Sequence, residues 1–172
     1  MEKALTGAAG EYYIAFRLSA LGYAIGLTPR GTRAVDLLAY NPETGKSMTV
    51  QTKTMRKAFV EQKSGSYWKW RISPPQQPRE TLYYMFVDLK DDESKLPDVF
   101  IVPSLELKTL INAVYPNYSG IAIYEREREK QKAYLNRWWP APDSDTTPYL
   151  VAIVKIASGA GGRYPRALCG RT

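Results

Sequence analysis

Ala34-Val35-Asp36-Leu37-Leu38-Ala39-Tyr40, Asn41-Pro42-Glu43-Thr44-Gly45-Lys46 and Ser47-Met48-Thr49-Val50-Gln51-Thr52-Lys53-Thr54 follow one another without a break and read as strand, loop and strand. The loop carries proline early and glycine late, the chemistry of a chain reversal between two apolar runs. If the loop spans residues 41–46, Tyr40 pairs with Ser47 and Asp36 falls opposite Gln51. Directly opposed residues of an antiparallel pair share a face, with Cβ atoms roughly 5 Å apart. Side chains alternate along a strand, so Gln51 and Lys53 point to one face and Val50 and Thr52 to the other. Spacing alone therefore gathers Asp36, Gln51 and Lys53 on one patch, and a register slip of a single residue would scatter them.

Asp36 stands inside an otherwise apolar segment. Burying an unpaired carboxylate costs several kcal/mol, so this one calls for a cation, hydrogen-bond donors or water. Upstream, Thr6 to Leu21 has the spacing of a helix, with Ala4, Ala8, Glu11, Ala15 and Leu18 as the stripe expected to face the sheet and Gly22 as its stop. Glu11 in that stripe raises the same demand for a partner, and the Asp36 patch can supply one. Two carboxylates, an amide oxygen and a strand carbonyl suit Mg²⁺, which takes oxygen ligands and keeps several waters, with Mn²⁺ as the expected substitute. A lysine beside such an ion can assist deprotonation of a water or neutralise charge developing on a phosphate. A plainer reading makes Asp36–Lys53 a cross-strand salt bridge inside an interaction domain.

Composition narrows the chemistry. None of the 172 residues is histidine, which excludes Ser-His-Asp and Cys-His nucleophile pairs, histidine-ligated zinc and a histidine general base. The single cysteine, Cys169, excludes an intramolecular disulfide and a cysteine-rich zinc site. The net charge is +7, from 24 basic and 17 acidic residues, and the first 70 residues hold ten of those basic groups against five acidic ones. A polyanion such as DNA is a natural partner for that half. No apolar run approaches the roughly 20 residues that span a bilayer, and Met1-Glu2-Lys3-Ala4-Leu5 lacks the apolar core of a secretion signal, so a cytoplasmic location and no membrane partner are expected.

Working outward, Tyr23 to Thr28 predicts a strand before the hairpin, and Tyr67 to Ser73 another, with Trp68, Trp70 and Ile72 as a core-facing stripe. Leu82 to Leu89 and Val99 to Val102 are apolar enough to be buried strands. Ser104 is a candidate N-cap for a helix carrying Leu107, Leu110, Ile111 and Val114, and Tyr124 to Trp139 predicts a further helix with a charged, solvated face. This order predicts an α/β domain over residues 1–142, with a mixed central sheet flanked by helices, then a 143–172 extension made of a linker, a short apolar strand at Tyr149 to Ile156 and a mobile basic tail.

Gly10-Glu11 in an N-terminal helix, then Ala34-Val35-Asp36-Leu37-Leu38, then Val50-Gln51-Thr52-Lys53, resemble the PD-(D/E)XK nuclease superfamily. Its archaeal Holliday junction resolvase-like members and its homing endonucleases with a QxK variant are the most similar subgroups. The resemblance is strong over about residues 5–55 and looser at Tyr83–Asp88 and Phe100–Ser104. It implies a restriction-endonuclease-like core, a divalent metal and cleavage that leaves a 5′-phosphate. By the same resemblance, Glu11 and Asp36 lie near the metal, Gln51 takes the usual acidic position, the Thr52 carbonyl is a ligand and Lys53 is the catalytic lysine. Val35 stands where the motif has proline, and Gln51 removes one negative charge, which weakens the hold on Mg²⁺ unless Glu11 compensates, or leaves the site inactive.

Arg30 and Arg33 precede the Asp36 strand, and Arg56, Lys57, Lys63, Lys69 and Arg71 form a second basic stretch, so these are the expected DNA contacts. The leading expectation is a Mg²⁺-dependent endodeoxyribonuclease acting as a homodimer on duplex or branched DNA, since paired cuts need two sites. The alternative is a DNA-binding protein that keeps the nuclease fold with weak or lost hydrolysis.

Overall fold

Strand β3 (Ser47–Met55) is the axis of the molecule, and the rest of the architecture follows from what lies on its two edges and two faces. The computed structural model describes residues 2–29, 32, 35–61, 63, 66–72, 75–114 and 121–124. On one edge of β3 lie β2 (Leu37–Tyr40) and then β1 (Ala24–Leu27), both antiparallel. On the other edge β6 (Leu82–Asp88) runs parallel to β3, and β7 (Asp98–Pro103) runs antiparallel to β6. The result is a mixed five-stranded sheet in the order β1-β2-β3-β6-β7.

The β2–β3 register is the one the loop length predicts, with Tyr40 opposite Ser47 and Leu37 opposite Val50. The turn itself explains it. The Asn41 side-chain oxygen accepts from the Glu43 and Thr44 amides at 2.9 and 3.1 Å, and Gly45 takes φ +70° to turn the chain back. Such a backbone angle is nearly free for glycine and costly for residues with a Cβ.

Helix α1 (Lys3–Ala20) covers one face of the sheet. Its end is a hydrogen-bonded stop in which Gly22, at φ +87°, donates to Ser19 O and Tyr23 donates to Leu18 O. The core-facing stripe corrects the sequence expectation. Leu18 is buried and Ala15 packs on the core as expected, but the other buried positions are Gly10 and Ile14, Ala4 is exposed, and Leu5, Tyr12 and Phe16 are 56%, 64% and 66% exposed. The reason is a close approach, because a Cβ added at Gly10 would lie 2.7–2.8 Å from Thr54 Cγ2 and Cβ. The helix rotates to put its smallest residue against the sheet. Ile14 and Leu18 then pack with Leu37, Val50, Met85, Val87 and Val99. Full burial of each such side chain stabilises by about 1.5–3 kcal/mol.

The opposite face of β3-β6-β7 is covered by α2 (Ser104–Val114) and by a second, three-stranded sheet of β4 (Phe59–Val60), β5 (Tyr67–Trp70) and β8 (Ile121–Tyr124). Trp68, Trp70 and Ile72 are buried here as their alternation predicts, with Phe86, Phe100 and Leu107. The rings of Trp70 and Phe100 meet edge to face at 5.7 Å. Two expectations are corrected on this side. Ser104 does not spend its hydroxyl on α2. It clamps Arg79, donating to its carbonyl at 2.8 Å and accepting from its amide at 2.9 Å. Tyr124, expected to open a helix, ends strand β8 paired with Tyr67. The remainder of that expected helix, the Tyr149 to Ile156 strand and the basic tail lie outside the described residues. Among the described residues no helix is long and apolar enough to cross a membrane.

Candidate functional site

β2 begins at Leu37, whereas β3 continues to Met55. From Gln51 onward, β3 therefore has β6 on one side and, among the described residues, no strand on the other. Asp36 sits at this step and its backbone is fixed from both flanks. Its amide donates to Val50 O at 2.8 Å, and its carbonyl accepts from the amide and hydroxyl of Thr28 at 3.0 and 3.2 Å.

The side chain completes what the missing strand would have done. Asp36 Oδ2 accepts from the Thr52 amide at 2.6 Å, the Thr52 hydroxyl at 2.8 Å and Gln51 Nε2 at 2.6 Å. Hydrogen bonds to a charged group contribute about 1.5–3 kcal/mol each, which answers the desolvation of a half-buried carboxylate. Asp36 Oδ1 accepts no hydrogen bond among the described residues. The Thr52 carbonyl lies on the same edge as its amide, because the two groups of one residue project together from a strand. The Gln51 amide oxygen is left over once its nitrogen has bonded Asp36. Three oxygens (Asp36 Oδ1, the Thr52 carbonyl and Gln51 Oε1) thus belong to residues clustered at one step in the sheet. Among the described residues no group of three acidic, histidine or cysteine side chains could hold a metal ion. The donor set at the step is instead one carboxylate with neutral oxygens, which suits a hard cation that keeps part of its water shell.

Lys53 is half-buried on the Gln51 face of β3 and has no carboxylate within salt-bridge distance among the described residues. The Asp36–Lys53 salt bridge of the plainer reading is therefore not formed. Asp36 takes its partners from Gln51 and Thr52, which leaves the ammonium uncommitted.

Glu11 is half-buried on α1, directly after the glycine that touches Thr54. That turn of the helix consequently passes over the open half of β3, on the face opposite Gln51 and Lys53. No hydrogen bond or ion pair joins Glu11 to Asp36, Gln51 or Lys53. The expected DNA contacts divide. Arg56 is exposed and ion-paired with Asp91. Lys57, Lys63 and Arg71 are exposed, and Lys69 is half-buried on β5. Arg30 and Arg33 lie outside the described residues; among the described ones, the Thr28 hydroxyl donates to Val35 O at 2.7 Å. The turn bearing Arg56 and Lys57 is tied to the end of β6, because the Ala58 amide donates to the buried Asp88 Oδ1 at 2.9 Å.

One role and one residue escaped the sequence reading, the hydroxyl of Thr52 and Tyr84. The Thr52 hydroxyl holds Asp36, although strand alternation assigns it to the other face. Tyr84 of β6 stands in register with Gln51, and burial followed by the nearby Asp36 charge pushes its phenol pKa up. No local spacing in the sequence places Tyr84 there, because parallel pairing joins distant segments.

No protein-family model and no curated protein matches the chain. Among solved structures it is similar to a bacterial homing endonuclease, I-Ssp6803I, with 16% identity and a TM-score of 0.48 over 80% of this chain and 91% of that one. A likeness at that level carries no argument about activity.

Proposed function

We propose that the protein is a divalent-metal-dependent endonuclease of the PD-(D/E)XK type that hydrolyses DNA phosphodiester bonds, working as a homodimer on duplex or branched DNA. The observation that supports this reading best is the division of labour at the step. Among the described residues, one oxygen of Asp36 is held by three donors, the other accepts no hydrogen bond, and a lysine without an ion pair stands on the same strand as the residues that hold it. Mg²⁺ is the proposed ion, with Mn²⁺ able to replace it. When bound, such an ion polarises the phosphodiester and acidifies a coordinated water.

In this reading Asp36 Oδ1, the Thr52 carbonyl and Gln51 Oε1 hold the ion, and Glu11 reaches it from α1. Lys53 neutralises charge developing on the phosphate, or helps take a proton from the attacking water. Arg30, Arg33, Arg56, Lys57, Lys63, Lys69 and Arg71 serve as backbone contacts that position the duplex. The test is cleavage of linear, supercoiled and four-way-junction DNA in Mg²⁺ or Mn²⁺, with Lys53→Ala as control. Nicking or double-strand product from wild type alone is expected, and a folded wild-type protein that makes none refutes the hydrolase reading.

A second reading has an observation of its own. Gln51 Nε2 satisfies Asp36 without any cation, which favours a DNA-binding protein with weak hydrolysis. Gln51→Glu separates the two, because it sets a second carboxylate against Asp36 and creates a demand for a cation. Tighter metal binding with newly gained cleavage supports the binding protein, and cleavage already present in wild type removes it.

A further inference from the structure

Tyr84 is buried except for 7% of its surface, and its ring stacks on Phe86 with centroids 6.3 Å apart. On β6 it is in register with Gln51, and Lys53 is in register with Phe86, so Tyr84 adjoins the two residues of β3 that carry the candidate site. Parallel-paired residues in register present their side chains on one face. Asp36 is near enough for its charge to act on the Tyr84 hydroxyl. That hydroxyl forms no hydrogen bond among the described residues, and it is not closed off from solvent. A buried ring whose hydroxyl alone reaches solvent near a charged site can exchange a water for a ligand oxygen without moving the ring.

We propose that Tyr84 is a substrate contact of this site, its phenol O–H donating to a nonbridging oxygen of the phosphodiester held beside Asp36 and Lys53. The inference rests on the phosphodiester-hydrolase reading and names a residue which that reading did not include. The fit is chemical. Asp36, Gln51 and Lys53 leave the β6 side of the site without a neutral donor, and a phosphodiester presents two nonbridging oxygens, so one can meet the cationic side while the other meets the phenol. The packed ring holds the hydroxyl in place before substrate arrives, which lowers the entropic cost of the contact.

The experiment uses the full chain with ¹³Cζ-labelled tyrosine, the Tyr84 resonance being assigned by its loss in Tyr84→Phe. A duplex oligonucleotide is titrated in with Ca²⁺, and cleavage is measured separately in Mg²⁺. The expected result is movement of the Tyr84 resonance on DNA addition. In Mg²⁺, Tyr84→Phe is expected to lose at least about tenfold in kcat/KM, with a thermal midpoint close to wild type, as for loss of one hydrogen bond to a charged group. Tyr84→Phe that cleaves within twofold of wild type overturns the proposal, and so does a resonance that stays fixed while the duplex binds. Should wild type cleave nothing, a moving resonance sustains the contact and removes only the hydrolase reading. A chain that binds no duplex removes both.

Discussion

The two halves of β3 are built to opposite rules. From Ser47 to Val50 the strand is paired with β2, and Met48 and Val50 are buried against α1 and its neighbours. From Gln51 to Met55 it is paired, among the described residues, with β6 alone, and its residues are an amide, two threonines, a lysine and an exposed methionine. The first half spends its backbone groups on a ladder and its side chains on a core. The second half keeps one row of backbone groups open and lets a single carboxylate cap it. Closed edges hold a fold together, and an edge left open by a short neighbour supplies directed oxygens and donors to something outside the chain.

Substitutions that separate stability from activity sharpen this contrast. Lys53→Ala in the open half should reduce DNA cleavage by about 10²–10³-fold, equivalent to roughly 3–4 kcal/mol. Its unfolding free energy in urea should change by less than about 0.5 kcal/mol, because no ion pair among the described residues is lost. A large stability loss instead would mean that the lysine is structural. Leu37→Ala removes the fully buried partner of Val50 in the closed half and should cost about 2–5 kcal/mol in equilibrium unfolding. Gly10→Ala tests the approach of α1 to Thr54. Overpacking outweighs the gain in helix propensity, for a net loss of about 1–2 kcal/mol by thermal denaturation. A stabilised Gly10→Ala would show that the helix can lift away at no cost. Thr52→Val takes one donor from Asp36 and leaves two, so calorimetry should register a loss of about 0.5–1.5 kcal/mol.

Much of the closed half was legible in the sequence. The Asn41–Lys46 loop fixed the hairpin register, and alternation put Trp68, Trp70 and Ile72 in the core. The helix stripe was legible only in part. Ala-rich α1 offers two neighbouring apolar stripes of similar spacing, and the choice between them fell to the contact of Gly10 with Thr54. The second sheet escaped for a related reason. β4 has two residues and β8 four, too short for a period to declare itself, and both depend on β5 for pairing.

By itself, then, the sequence determined which residues could meet across one hairpin, Asp36 with Gln51, and that histidine chemistry and an intramolecular disulfide are excluded. Turn chemistry and a period of two act between neighbours in the chain, so short-range spacing was enough. Only the tertiary structure decided that β2 would begin no earlier than Leu37, that Asp36 would cap Thr52 and leave Lys53 without an ion pair among the described residues, and that Tyr84 would arrive from β6 beside them. Those outcomes depend on parallel pairing between distant segments and on how closely a helix can settle on a sheet. Both are set by closure of the whole core, and no local pattern encodes them.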